Sequence, residues 1–264
     1  MRCYNREKMI FHGNYLDVQI YPVFTDSKPK GTRRKKAKPT SEIQQLLNER
    51  NSKRHNIYLI NENFTKNDLV VHLTYDDNSL PDSSEQAERD SKNFIRRIRR
   101  ALKNKGIELK YFAVYEQAPN GRHHHHIIIS GGLTYEELIK MWQYGIAEFS
   151  ALFFDLYGVT GLTQYITKET KGKKKISHSR NLKQPKERQR DGKLSQKQLR
   201  ELHNHNCDIN EVCRKLYPGY DLAEIEPYYN DVNGYYYTTI RLYKPEIFNK
   251  KRRRNGNTSE QSGA

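Results

Sequence analysis

The stretch "IELKYFAVYEQAPNGRHHHHIIIS", residues 107–130, decides how this chain folds. Its first part is aromatic and apolar, its last part ends in three isoleucines, and Pro119, Asn120 and Gly121 punctuate the middle. That is the pattern of two antiparallel strands joined by a short connection. Strand alternation then sorts the four consecutive histidines: His123 and His125 take one face, His124 and His126 the other. Two neutral imidazoles two apart on a strand face can share a divalent ion. A tag would sit at a terminus or in a linker, whereas this run leads into a buried-strand pattern in mid-chain.

An ion acting on phosphate also wants a hard oxygen ligand, and Glu116 at the end of the preceding strand is the candidate. The length of the connection decides its face. A five-residue connection, 118–122, closing on Gln117 and His123 sets Glu116 opposite His124. A four-residue one shifts the register by one and pairs Glu116 with His123 and His125 instead. Pro119, Asn120 and Gly121 fit either loop, and a solvated strand-end acid is the plainer role for Glu116.

Outward from this hairpin, "DLVVHLTY" (68–75) reads as a β-branched strand, and 80–106 as an amphipathic helix. Ser83 and Gln86 offer that helix a capping box, Phe94, Ile95, Ile98, Ala101 and Leu102 an apolar stripe, and Gly106 a stop. After the hairpin come a helix in "TYEELIKMWQYG", a strand in "IAEFSALFF", a short helix in "GLTQYITKETKG" and a basic strand in "KKKISHSRNL". The order β-α-β-β-α-β-α-β predicts an α+β fold, a mostly antiparallel central sheet with helices packed on it.

Residues 1–65 read as an N-terminal appendage. It holds a short strand pair in "YLDVQIYPVF", a basic linker "KPKGTRRKKAKP", and a helix with Ile43, Leu46 and Leu47 at helical spacing. The sheet domain spans 66–190, closing on "QPKERQRDGK", which reads as a charged linker. A C-terminal part, 191–247, holds two short helices, the second capped by Asp208 with Glu211, and a hairpin turning at Asn233-Gly234. That aromatic hairpin is expected to pack on the main sheet. Residues 248–264 form a disordered basic tail. His203, His205, Cys207 and Cys213 have zinc-ligand chemistry, but Cys213 fits the apolar face of its helix, and packing is the expected role.

Composition narrows the function. Lys and Arg number 47 against 31 Asp and Glu, a formal charge of +16, which favours a polyanionic partner. The 19 tyrosines suit base stacking as well as packing. Three cysteines make no disulfide framework, and no apolar run reaches membrane-spanning length, so a soluble cytoplasmic protein is expected. No P-loop pattern is present, which sets ATPases aside. In "QYITKE", Tyr165 and Lys168 are three apart and share a helix face. A phenol with its ordinary pKa near 10 is a poor nucleophile, and a neighbouring ammonium with a metal-polarised phosphate would help it attack. A core aromatic beside a solvated lysine is the alternative.

The strand "VVHLTY", then Glu116 with "HHHHIII", then "YITK", in that order, resemble the HUH endonucleases, specifically the single-tyrosine rolling-circle replication initiators of bacterial phages and plasmids. The resemblance covers roughly residues 66–185. It implies the ferredoxin- or RRM-like fold of that superfamily. It also implies His124 and His126 as metal ligands, because the second histidine of the family motif directly precedes the apolar run. Glu116 matches the third ligand, Tyr165 the nucleophile and Lys168 the phosphate-positioning lysine. The residue between the paired histidines is usually bulky and apolar; here it is His125.

The implied reaction is cleavage of single-stranded origin DNA with Mn2+ or Mg2+, leaving a 5′-phosphotyrosine and a free 3′-OH, followed by rejoining. A host polymerase would extend the 3′-OH and a host helicase would open the duplex. Arg122, Lys171, Lys173, Lys174, Lys175 and Arg180 would track the DNA backbone. Two other readings compete: a non-catalytic nucleic-acid-binding module of RRM-like topology, which leaves the histidines and tyrosine idle, and a transposase using the same chemistry.

Overall fold

In a computed structural model of the chain, the described residues are 2–25, 42–118, 121–167 and 173–249. In chain order they form β1 (Arg2–His12), β2 (Tyr15–Thr25), α1 (Glu42–Asn63), β3 (Leu69–Thr74), α2 (Ser84–Asn104), β4 (Tyr111–Gln117), β5 (His123–Ile129), α3 (Tyr135–Ile139), β6 (Ala147–Ala151), α4 (Thr160–Thr167), β7 (Lys173–His178), β8 (Lys186–Asp191), α5 (Gln196–His203), α6 (Ile209–Leu216), β9 (Asp221–Asn230), β10 (Tyr235–Tyr243) and α7 (Glu246–Asn249). The fold is α+β, as expected, but it holds two five-stranded antiparallel sheets rather than one. The chain divides into two compact units, Lys36–Pro185 and a discontinuous one, Met1–Lys35 with Lys186–Ala264.

The sheet of the Lys36–Pro185 unit has the order β6-β3-β5-β4-β7. β3 and β4, joined through α2, are split by β5, which pairs antiparallel with both. Both faces are covered. On one, Leu69, Val71, Leu73, Ala113, Tyr115, Ile127 and Ile129 meet Phe94, Ile95, Ile98 and Leu102 of α2. On the other, Phe112, Val114 and Ile128 meet Leu59 and Ile60 of α1 and the neighbouring Phe64. Burial on both sides explains the unbroken isoleucine run, Ile127 to Ile129. Each such side chain contributes on the order of 1.5–3 kcal/mol relative to exposure.

The expected stripe of α2 is the buried one, and Gly106 follows its end at φ +72°. Only half of its capping box forms: Ser83 accepts from Gln86 N, while the Gln86 side chain donates to Asp90 at 2.8 Å.

α1 belongs to this unit and is no appendage. Its apolar contact is not made by Leu46 and Leu47, which are exposed, but by Tyr58, Leu59 and Ile60 near its end; the Ile43 side chain lies outside the described residues.

The discontinuous unit has the sheet order β8-β1-β2-β10-β9. The charged segment expected to be a linker is β8, an edge strand paired with β1 from Arg6↔Asp191 to Phe11↔Lys186. The C-terminal hairpin turns where expected, with Gly234 at φ +70°, but it joins β2 in this second sheet and not the one bearing the histidines. Met9, Leu16, Val18, Ile20, Ile240 and Leu242 pack against Leu199 and Leu202 of α5 and Cys213 of α6. Asp208 caps α6 by accepting from Glu211 N at 3.1 Å. The division at residues 65/66 and 190/191 read from the sequence therefore differs from the observed one.

Cys213 is fully buried, and burial pushes its thiol up to about 11. The ring of His203 lies 5.2 Å from that of Tyr236. Among the described residues no His, Cys, Asp or Glu group of three or more forms a metal site, here or elsewhere. Residues 250–264 lie outside the described ones. No helix among the described residues is long and apolar enough to cross a membrane.

Candidate active site

The connection between β4 and β5 is the five-residue one. Gln117 pairs with His123 and Glu116 with His124, Ala118 N donates to Arg122 O at 2.8 Å, and Gly121 takes φ +84°. Glu116, His124 and His126 therefore share one sheet face, with Glu116 Oε2 4.0 Å from His126 Nε2. β3 extends the row from the other side, with Thr74 opposite His124 and His72 opposite His126. The His72 ring lies parallel to that of His126, centroids 4.5 Å apart, and 5.9 Å from that of His124. Across β6, His72 Nδ1 stands 3.5 Å from Glu148 Oε2. The sequence reading did not single out His72 or Glu148. The alternation in "VVHLTY" placed His72 and Thr74 on one face, but nothing in it said that this strand lies beside His126.

His125 is on the opposite face and belongs to the core. It is 1% exposed, its Nε2 is 3.1 Å from Tyr75 Oη, and its ring meets the edges of Tyr75, Tyr115 and Trp142 at 5.5–6.1 Å. The imidazole fills the place where a bulky apolar residue is the usual choice. Burial, reinforced by the neighbouring histidines, drives its pKa down to about 3. Burial also lowers the pKa of His123, and that of His124, where His72 adds to the effect and Glu116 opposes it. At neutral pH these rings are uncharged.

The donor set suits a divalent ion in kind. His124 Nδ1 is buried with no hydrogen-bond partner, a cost that a bond to a metal would remove. A neutral imidazole offers the lone pair that metal binding needs, and Glu116 supplies the hard oxygen. Since no three such side chains yet converge among the described residues, they would have to draw in around the ion.

α4, which carries Tyr165 in its backbone, packs over this same face. Val159 and the half-buried Leu162 join Leu59, Ile60, Phe112 and Ile128. Asn61 of α1 fixes the entry to the helix: its Oδ1 accepts from Val159 N at 3.0 Å. Gly158 precedes this contact at φ +71°, and a Cβ there would stand 2.5 Å from the Asn61 amide. The Tyr165 side chain, Lys168 and Lys171 lie outside the described residues, as do the side chains of Lys173 and Lys174.

The remaining DNA-contact candidates are not gathered on this face. Arg122 is ion-paired with Asp77. Lys175, the register partner of Tyr115, reaches Glu88 of α2 on the other face at 2.7 Å, and Arg180 is exposed beyond the end of β7.

Residues 68–170 match the model of a protein family described as replication-associated protein ORF2/gene II protein. No curated protein and no solved structure matches the chain. The matched span runs from the start of β3 to just past α4 and takes in His72, Glu116, His123 to His126, and Tyr165. In that segment the chain is similar to the replication-associated proteins of this family.

Proposed function

We propose that this protein initiates replication by nicking single-stranded origin DNA and rejoining it through Tyr165. The observation that carries the reading is the register of β4 on β5, which sets Glu116 beside His124 and His126 under the helix bearing Tyr165. The similarity of residues 68–170 to replication-associated proteins supports it.

Glu116, His124 and His126 would hold Mn2+ or Mg2+. When bound, such an ion polarises the phosphoryl oxygen and offsets charge that develops in the transition state. Tyr165 supplies the nucleophile: its phenolic oxygen bonds to phosphorus, the bond from phosphorus to the 3′ oxygen breaks, and that oxygen leaves as a 3′-OH once protonated. One phosphodiester replaces another, so the reverse attack by a 3′-OH restores the strand and frees the tyrosine. Lys168, three residues on, would offset charge on the phosphate or lower the phenol pKa. His72, stacked on His126 and held by Glu148, would keep that imidazole in orientation. The free 3′-OH is a primer for a host polymerase, and a host helicase would supply the single strand.

The test is to mix the protein with Mn2+ and an end-labelled pool of random-sequence single-stranded DNA, then look for a denaturant-stable protein–DNA adduct. The adduct should form with the native chain and be lost in Tyr165→Phe and in His124→Ala. An adduct that forms equally well in Tyr165→Phe sinks the reading.

A further inference from the structure

A second site lies on the α2 face of the same unit, where β7 ends and β4 begins. Arg99, Lys103, Ile107, Glu108, Tyr111 and Arg180 are among the walls of a cavity of about 840 Å3. Glu116 and His124 lie at the other end of the sheet: Glu116 pairs with Lys174 near the start of β7, whereas the cavity takes in the end of that strand and the residues that follow, 177–181.

Its charges are unbalanced. Arg99, Lys103 and Arg180 contribute three cations against the single carboxylate of Glu108. Among the described residues none of these three cations has an ion-pair or side-chain hydrogen-bond partner. The other cations nearby are engaged: Lys175 and Lys92 with Glu88, Lys105 with Glu137, and Arg97 with Met141 O. Leaving three like charges around one cavity is unfavourable unless an anion joins them. The cavity is also far larger than a phosphate needs and falls in the range of small-molecule pockets, roughly 300–1,000 Å3. Ile107, Leu109 and Tyr111 give it an apolar wall.

From cations on one side and an apolar wall on the other, we infer that this cavity binds a nucleotide unit. Its phosphate sits among Arg99, Lys103 and Arg180, and its base lies against Ile107 and Tyr111. Guanidinium groups suit phosphate through paired N–H donors, and an aromatic edge or face accepts any base. The same chemistry is offered by a free nucleotide and by one residue of a DNA strand. The site is separate from the nicking chemistry and needs no metal.

Calorimetric titration of the full chain in EDTA tests this, with dATP in one arm and a short oligothymidylate in the other. The variant carries Arg99→Gln, Lys103→Gln and Arg180→Gln, all at exposed positions; Arg180→Gln alone serves if the triple variant folds poorly. A control triple, Lys193→Gln, Lys197→Gln and Arg200→Gln, removes equal charge from exposed positions of the other unit. Loss of about tenfold or more in dATP affinity, absent from the control, identifies a free-nucleotide site. The same loss for the oligonucleotide alone identifies a strand-gripping site. If neither ligand loses affinity in the variant, or if the control loses as much, the cavity is not a nucleotide site.

Discussion

Replacing His125 and His124 by alanine should damage the protein in two different ways, although the residues are neighbours. His125 is 1% exposed and wedged among Tyr75, Tyr115 and Trp142. Truncating a buried aromatic ring costs about 3–5 kcal/mol, transfer and cavity together. Tyr75 Oη loses its His125 partner but keeps Ala87 O at 3.4 Å, so the lower part of that range, about 3–4 kcal/mol, is the expected loss. In a unit of this size each kcal/mol moves Tm by about 2–4 °C, which gives a drop of roughly 10 °C. Trp142 is the only tryptophan and its ring lies 6.1 Å from that of His125, so urea unfolding followed by tryptophan fluorescence reports on this core. His125→Phe keeps bulk and aromaticity and should stay within about 1.5 kcal/mol of the native chain. His124 is only partly buried and has no hydrogen bond to lose at Nδ1. His124→Ala should cost about 1 kcal/mol or less and instead abolish Mn2+ binding, measured by calorimetry. If His125→Ala unfolds like the native chain yet loses Mn2+, the two faces of β5 have been assigned the wrong way round.

Mn2+ itself should stabilise the native chain by about 2.7 kcal/mol at 100 times its Kd. EDTA should reverse that and stop adduct formation, and a Tm insensitive to Mn2+ would count against a bound ion. Gly158→Ala forces a Cβ against Asn61 at a left-handed φ. It should slow adduct formation while leaving Mn2+ affinity unchanged, and an unaltered rate would show that the entry to α4 does not set the position of Tyr165. Arg190→Ala leaves the fully buried Glu7 carboxylate without its cation, a loss of about 3–5 kcal/mol. Circular dichroism during urea unfolding reads it, and a loss below about 1 kcal/mol would mean that Glu7 is protonated or hydrated in the fold.

Much of the Lys36–Pro185 unit was legible because its pattern is driven by burial. The stripe of α2, the β-branched run of β3 and the isoleucines of β5 each report which face meets the core. The register of β4 on β5 was not legible, since Pro119, Asn120 and Gly121 suit either loop length. Closure of the five-residue turn through Ala118 N and Arg122 O decides it. The discontinuous unit was hidden for a different reason. β8 is "KERQRD", with no apolar residue at all, because an edge strand needs only backbone pairing and charged side chains protect its free side. β1 turns Asn5 and Glu7 inward, both buried, so its alternation of polar and apolar residues is obscured. His72 was overlooked because its significance comes from a neighbour 54 positions along the chain, opposite it in the register.

Building one sheet from both ends of the chain sets an order of events during synthesis. β2 ends at Thr25, and its partner β10 begins at Tyr235. At roughly 5–20 residues per second, about 210 residues take some ten to forty seconds to translate. Over that interval all strands of the Lys36–Pro185 sheet are made, while the first hairpin waits with an open edge bearing Leu16, Val18 and Ile20. A message cut or a ribosome stalled between codons 186 and 235 would release a protein with a complete middle and a sticky N-terminal ribbon. Such a ribbon is a template for pairing with other copies, so incomplete copies should be found in aggregates rather than on DNA.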